Sequence, residues 1–241
     1  EFAKAIQSSA LPKPLPESEE NNFKIRASMC TAKEVGGDFY DFFKVGNDLG
    51  FVIADVSGKG IPAALFMMTS RTEIRNHILA NPTDLSKAIA QANDELCANN
   101  DAMMFVTAFA GILNSQTGEI KYVNAGHNKP LFQQNGKFIW LQGRSGPPLA
   151  TMGGIPYKTL SFQLEPGALF YSYTDGVTEA TNQPKELYGD DRLIAFLNSI
   201  KVDDCQAVID AVTADVDKFC NGSEQADDIT MLSVKFTKKS C

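Results

Sequence analysis

The sequence predicts an α+β protein in which packed antiparallel β-sheets carry helices on the outside. Three observations predict it. Short apolar runs, several alternating with polar residues, recur along the chain between turn-forming residues, as hairpinned strands do. Helical spacing appears in two paired stretches, residues 61–98 and 190–220, rather than after every strand, which argues against a series of βαβ units. One run, Gly50-Phe51-Val52-Ile53-Ala54, has no polar alternation and ends on Asp55, as expected of a central strand buried on both faces.

Taken in order, residues 1–10 have weak helical character, and Pro12, Pro14 and Pro16 stop any helix there, since each proline disfavours helical angles in the residue before it. Residues 1–22 therefore read either as a frayed terminus or linker, or as the tail of a helix arriving from an upstream domain. Phe23–Cys30 alternates as a half-buried strand. Phe39–Val45 is a second strand, turning at Asn47-Asp48 into the central one. Gly58 and Gly60 then permit a sharp turn, because glycine reaches backbone angles closed to other residues. Ile61, Ala64, Leu65, Met68, Ile74 and Ile78 recur at helical spacing, with Met67 and Met68 read as core filler. Asn81 is expected to cap the next helix, with Pro82 in its first turn, and that helix is expected to bury Leu85, Ala88, Ile89, Ala92 and Leu96. Met103–Leu113 and Glu119–Asn124 form an antiparallel pair about the turn 114–118. Pro130–Gln133 and Lys137–Leu141 form another through Asn135-Gly136, a hairpin signal. Residues 143–156 read as a loop. Lys158–Gln163 and Ala168–Thr174 are expected to pair about Glu165-Pro166-Gly167. Residues 177–187 give no clear pattern. Asp190–Ile200 and Asp203–Cys220 are helices, the second burying Cys205, Val208, Ile209, Val212, Val216 and Phe219 and ending at Asn221-Gly222. Asp228–Phe236 is the last strand.

The 241 residues, 44% hydrophobic and 21% charged, are enough for a substantial core. A net charge of −7 without a Lys/Arg cluster argues against nucleic acid as a partner. There is no Walker-type loop, so an acidic chain that handles phosphate needs a metal to invert the local sign. The five cysteines form no CxxC pair and are an odd number, which fits a reducing compartment and mostly buried thiols. No signal peptide or membrane-length apolar run is apparent, so a cytoplasmic domain is expected. The first residue is Glu, and the chain is read as a piece of a longer protein, with membrane attachment of the full-length chain left open.

Four acidic positions border the apolar runs: Asp38 after Gly36-Gly37, Asp55 after the central strand, Asp175 in Tyr173-Thr174-Asp175-Gly176, and the Asp227-Asp228 pair before the last strand. Each alone reads as a turn or helix cap. If the sheets stack, they converge at one edge. Several carboxylates brought together cannot all stay ionised without a counter-charge. Hard divalent cations such as Mg²⁺ or Mn²⁺ supply it.

Read together, these motifs resemble the PPM (PP2C-type) serine/threonine phosphatases, in particular the bacterial SpoIIE/RsbU-like branch. The resemblance rests on Glu34-Val35-Gly36-Gly37-Asp38-Phe39-Tyr40-Asp41, on Asp55-Val56-Ser57-Gly58-Lys59-Gly60-Ile61-Pro62-Ala63-Ala64-Leu65, and on Asn124-Ala125-Gly126-His127-Asn128-Lys129-Pro130. It continues through Tyr173-Thr174-Asp175-Gly176-Val177-Thr178-Glu179-Ala180 and Asp227-Asp228-Ile229-Thr230. The motifs lie in order from about residue 23 to 236, giving a phosphatase domain over 23–238 preceded by a linker or helix over 1–22. The segment from Ala5 to Pro12 resembles the linker that joins this branch to upstream sensor domains.

The resemblance implies two stacked antiparallel sheets flanked by helix pairs, two Mn²⁺ or Mg²⁺ ions, and hydrolysis of phosphoserine or phosphothreonine by metal-activated water. By position, Asp55 bridges both metals and the Val56 carbonyl helps hold one. Asp175 and Asp227 would ligate the first metal, and Asp38 would support the second. Asp228 stays open as an alternative to Asp227. The resemblance further implies a phosphorylated STAS-domain protein, an anti-sigma-factor antagonist, as substrate, an upstream sensor or receiver domain, and a possible homodimer. The helices 61–79 and 82–98 would be a regulatory element positioning the metal-holding turn. Eukaryotic members carry a His just after the bridging Asp. Here Val56-Ser57-Gly58-Lys59 has none, which leaves Lys59 or water to protonate the leaving group and Arg144 as a candidate phosphoryl ligand. His77 is expected at the surface and His127 in a structural role. The rival reading is a catalytically silent module that binds a partner through the same fold, and a third is a phosphoesterase for small molecules.

Overall fold

The computed structural model describes residues 2–15 and 21–238. Pro16, residues 17–20 of the expected linker and Cys241 lie outside them. A first helix, α1 (Phe2–Ala10), precedes strands β1 (Phe23–Cys30), β2 (Phe39–Val45) and β3 (Asp48–Val56). Helices α2 (Ile61–Ala80) and α3 (Leu85–Ala98) follow. Next come β4 (Val106–Leu113), β5 (Glu119–Ala125), β6 (Leu131–Gln134), β7 (Lys137–Trp140), β8 (Leu160–Gln163) and β9 (Leu169–Tyr173). The chain closes with the single turn α4 (Asp175–Thr178), helices α5 (Asp190–Ser199) and α6 (Cys205–Cys220), and β10 (Ile229–Phe236).

The strands form two five-stranded antiparallel sheets, ordered β1-β10-β9-β6-β7 and β2-β3-β4-β5-β8. Side chains alternate between the faces of a strand, and each sheet buries both. On β3, Phe51 and Ile53 face the other sheet, while Val52, Ala54 and Val56 face α2 and α3. On β9, Phe170 faces the other sheet, while Leu169, Tyr171 and Tyr173 pack under α5 and α6. Three cores thus lie between four layers, helix pair, sheet, sheet and helix pair, as expected. The seam between the sheets is aromatic, with ring centroids 5.5 Å apart for Phe51–Phe170 and 5.4 Å for Phe109–Phe170.

Several expectations are corrected. The strands around 158–163 and 168–174 do not pair with each other: β8 pairs with β5, whereas β9 pairs with β10 and β6 in the opposite sheet. The turn at Glu165-Pro166-Gly167 is a crossing between sheets. The Leu164 N–H donates to Gly118 O at 2.9 Å, which holds the end of β8 on the turn before β5. The cap of α3 is Asp84, whose carboxylate accepts from Lys87 N at 3.0 Å, and Asn81 instead closes α2 with its N–H on His77 O. Pro82 excludes residue 81 from helical angles, and Asp84 directly precedes the apolar stripe. The β2–β3 turn is at Gly46-Asn47, with Gly46 at φ 62°, one residue earlier than expected. The strand expected from Met103 starts at Val106, because Asn100 closes the preceding turn by accepting from Met104 N at 2.9 Å. Residues 177–187 contain the end of α4 and a bridge between Thr181 and Leu187. Of the described cysteines only Cys205 is buried, and Phe219 is half-buried. Met67 is core and His77 is partly exposed beside Glu73.

Residues 2–10 pack against the domain: α1 lies on α2, and Leu11 joins the core between β3 and the helix pair.

Candidate functional site

The acids gather because of strand alternation. Asp55 has the parity of Ile53 and Phe51 on β3, so it points into the seam at the end of the sandwich. Asp38 precedes β2 with the parity of Tyr40 and Phe42 and enters the same seam. From the opposing sheet, Thr174 shares parity with Phe170, and its hydroxyl donates to Asp38 Oδ2 at 2.7 Å. The backbone N–H of Thr230 donates to Thr174 Oγ1 at 3.0 Å, which aims that hydroxyl. Asp175 opens α4 one residue beyond, with Thr174 in extended conformation as its cap. Asp227 and Asp228 lead into β10 beside it. Asp38 and Asp55 therefore come from one sheet, and Asp175, Asp227 and Asp228 from the other.

The charges interact. Burial raises Asp55 first, and the nearby Asp175 and Asp227 carboxylates raise it further, to about 7. Asp38 is raised well above the usual carboxylate range, first by burial and then by Asp55, against the opposing hydroxyls of Thr230 and Thr174. Asp175 is raised by burial, by Glu179 and by Asp227. Lys59 answers them. Its ammonium lies 2.8 Å from Asp227 Oδ2 and donates to Ala226 O at 2.8 Å, and Asp227 holds its pKa up. Among the described residues no three His, Cys, Asp or Glu side chains converge tightly enough to hold a metal as they stand. The repulsion nonetheless reaches from Asp38 through Asp55 to Asp175 and Asp227. The donor set is hard oxygen throughout, suited to Mg²⁺ or Mn²⁺ rather than to a softer metal.

Asp228 differs from its neighbour. Its side chain accepts from Ala32 N at Oδ1 and from Gly37 N at Oδ2, both at 2.9 Å, and it is 8% exposed. Gly36 and Gly176 close around it: a Cβ on Gly36 would meet the Asp228 carboxylate, and one on Gly176 the Asp228 carbonyl. Gly36, Gly37 and Gly176 therefore provide room rather than unusual backbone angles. Gly58 and Gly60, at φ 88° and 77°, provide the angles expected of them. A Cβ on Gly37 would lie 2.7 Å from the Val56 carbonyl, which places Val56 beside the Asp38 loop.

Two residues of this site, Thr174 and Glu179, lie inside the motif 173–180 but had no role expected of them. The parity of Thr174 with Phe170 was the available signal for the first. A cavity of about 190 Å³ lined by Lys59, Gly176, Glu179, Asp227 and Cys220 adjoins the acids. Arg144 is elsewhere. It lines a cavity of about 450 Å³ with Lys129, Trp140, Asp190 and Asp191, and none of the four acidic positions borders it. His127 is buried, with Nδ1 2.9 Å from Thr107 Oγ1 and its backbone N–H on Asn124 Oδ1.

Two stacked sheets between helix pairs, with carboxylates from both directed to the seam, are the architecture of the PP2C-type fold. The chain belongs to the SpoIIE family: the family model described as Stage II sporulation protein E matches residues 46–237. It is 32% identical over 191 residues to the phosphoserine phosphatase RsbU of Bacillus subtilis (strain 168), covering 76% of this chain and 54% of that one. The SiaA-PP2C domain of Pseudomonas aeruginosa shares the fold at 22% identity, with a TM-score of 0.82 over 98% of this chain and 94% of that one. The catalytic domain of the serine/threonine protein phosphatase PstP, solved with two manganese ions, shares it at 10% identity, with a TM-score of 0.64 over 90% and 99%. The chain spans about half the length of the curated relatives it matches, 41% and 54%.

Proposed function

We propose that the chain is a metal-dependent protein serine/threonine phosphatase domain that hydrolyses phosphoserine or phosphothreonine on a regulatory protein. The observation that carries this reading is the arrival of acids from both sheets at one end of the sandwich, where Thr174 Oγ1 of one sheet lies 2.7 Å from Asp38 Oδ2 of the other, gathering negative charge that a pair of divalent cations would neutralise. Two Mn²⁺ or Mg²⁺ ions in such a site would activate water and neutralise charge on the phosphoryl group. Asp55, placed between the two groups of acids, would contact both ions with the Val56 carbonyl beside it. Asp175 and Asp227 would hold one and Asp38 the other. Asp228 keeps its oxygens on Ala32 and Gly37 and would act as a staple for the Asp38 loop. Thr174 fixes the orientation of Asp38. Lys59 places the site's fixed positive charge at the rim, facing the cavity where the phosphoprotein would enter.

RsbU is named a phosphoserine phosphatase, which supports phosphoserine as the substrate group. The finer reading is a phosphorylated STAS-domain anti-sigma-factor antagonist, with an upstream sensor or receiver domain and a homodimeric full-length protein. Among the described residues no helix is long and apolar enough to cross a membrane. We assign the domain to the cytoplasm as part of the same proposal.

The test is phosphate release from a phosphoserine-bearing STAS protein with Mn²⁺, compared with Asp55→Asn. Release that depends on Mn²⁺ and disappears in the variant supports the enzyme. Binding of the phosphoprotein without release would instead establish the silent partner-binding module. Equal turnover of free phosphoesters would establish a small-molecule phosphoesterase.

A further inference from the structure

The acidic site is braced by a residue outside the expected phosphatase domain. In α1, Gln7 is buried, at 4% exposed, while Ile6 beside it is 54% exposed. The Gln7 carboxamide faces the backbone of Gly36. Its Nε2 donates to Gly36 O at 2.7 Å, and its Oε1 accepts from Gly36 N at 3.1 Å. One side chain thus satisfies both polar backbone groups of a residue that no neighbouring strand pairs. Gly37 follows, with its N–H on Asp228 Oδ2 at 2.9 Å, and then Asp38, whose Oδ2 takes the Thr174 hydroxyl. The segment carrying Asp38 is therefore clamped by Gln7 on one side and by Asp228 on the other.

A helix that needed only an anchor would be held as well by an apolar side chain, without the cost of burying an amide. What the carboxamide adds is direction, since it accepts two hydrogen-bond geometries at once and fixes the orientation of one peptide unit. We propose that Gln7 is a positioning residue for the acidic site, setting the Gly36–Asp38 segment so that Asp38 faces Asp55. The proposal rests on the metal-dependent reading of those acids. It makes α1 part of the working site rather than a passive linker.

The test uses the whole chain as wild type, Gln7→Met and Gln7→Glu, with Ser8→Ala on the exposed face of α1 as control. Met keeps the packing volume and removes both hydrogen bonds. Glu keeps the acceptor and loses the donor. Two quantities are read, amide hydrogen exchange at Gly36–Phe39 without metal, and Mn²⁺ affinity by calorimetry. In Gln7→Met the Gly36 amide is expected to exchange about fivefold faster or more, whereas Gln7→Glu, which keeps the acceptor for that amide, should leave its exchange near wild type. Mn²⁺ affinity is expected to fall about tenfold, the usual cost of losing a group that orients a ligand. Ser8→Ala should match wild type in both.

Unchanged exchange in the Met variant would overturn the clamp. Faster exchange with unchanged Mn²⁺ affinity would make Gln7 an anchor of α1 only and overturn the positioning role. A wild-type chain that takes up no Mn²⁺ would overturn the metal reading and this role with it, and the exchange data would show separately whether the clamp exists.

Discussion

Asp227 and Asp228 are neighbours in sequence with opposite duties, and substitution separates them. Asp228→Asn leaves one of the Ala32 and Gly37 N–H groups facing an amide N–H, which should destabilise the fold by about 1–3 kcal/mol. Asp227→Asn loses a half-exposed ion pair with Lys59 while its Oδ1 can still accept from Asp228 N, and should leave stability within about 0.5 kcal/mol, while abolishing Mn²⁺ binding at one of the two proposed sites. Urea titration read beside calorimetric Mn²⁺ titration distinguishes the two, and a reversed pattern would exchange their roles. In the proposed site Lys59 would compete with the metal for Asp227. Lys59→Ala should therefore tighten Mn²⁺ binding about two- to fivefold, the worth of an exposed ion pair, and weaken inhibition by inorganic phosphate. His127 carries a pH signature. Its burial lowers its pKa to about 4, below the 6.5 of an exposed histidine, so above pH 6.5 it is neutral both folded and unfolded and its contribution is complete. As pH falls from 6.5 towards 4, only the unfolded chain gains the proton, and stability drops by on the order of 3 kcal/mol. The comparison is with His127→Gln, whose urea midpoint should lack this component of the fall. Parallel curves for the two proteins between pH 6.5 and 4 would refute the assignment.

The element that links the acids to the rest of the fold is α2, which begins directly after the Gly58–Gly60 turn. Its Arg71 and Arg75 lie one turn apart, and both reach the fully buried Asp41 on β2, at 3.2 and 3.0 Å. Asp41 has the parity of Phe39 and Phe43 and so faces the helix, while Asp38 faces the seam. One short strand thus holds α2 on one side, and the residue that leads into it presents an acid on the other. Asp41→Ala strands two guanidinium groups and should cost about 3 kcal/mol in chemical denaturation. This coupling supports the proposal that α2 and α3 regulate the metal-holding turn. Identical packing of α2 in active and inactive forms of the protein would end that proposal. At this scale the sequence was most legible where pattern is local. The Gly50–Asp55 run, the Asn135-Gly136 hairpin and the stripe from Cys205 to Val216 were all readable from residue type and spacing. It was least legible where two local solutions competed. Asn81 and Asp84 are both good caps, and Asp84 prevails because it directly precedes the apolar stripe that begins at Leu85. The runs 158–163 and 168–174 look like a hairpin because alternation shows that a strand has two faces, not which sheet it joins. Gln7 was illegible for a related reason, since a polar residue in a weakly helical segment says nothing of the loop it will meet.

At the scale of the whole molecule, the acids divide between the sheets, with Asp38 and Asp55 on one and Asp175 and Asp227 on the other. The aromatic seam sets the distance between them. Phe170 is its keystone, in ring contact with Phe51 and Phe109 of the opposite sheet and with Phe162. Leu193 on α5 is equally buried, but in the outer core away from the seam. Truncating either to Ala should cost about 3–5 kcal/mol through lost contacts and the cavity left behind. Their effects on metal should differ. Phe170→Ala lets the sheets shift relative to each other and should weaken Mn²⁺ binding by about tenfold, as loss of ligand orientation does. Leu193→Ala should leave Mn²⁺ affinity unchanged at temperatures where both variants are folded. The same geometry has a converse. Cations held by acids from both sheets cross-link them, and binding to the folded state alone at 100 times the dissociation constant adds about 2.7 kcal/mol. Mn²⁺ should therefore raise the melting temperature of wild type and Leu193→Ala alike, and that of Phe170→Ala less at equal Mn²⁺ concentration. Equal Mn²⁺ affinities and equal thermal shifts in the two variants would mean that the acids meet without help from the seam, and that the sandwich is a scaffold indifferent to its site.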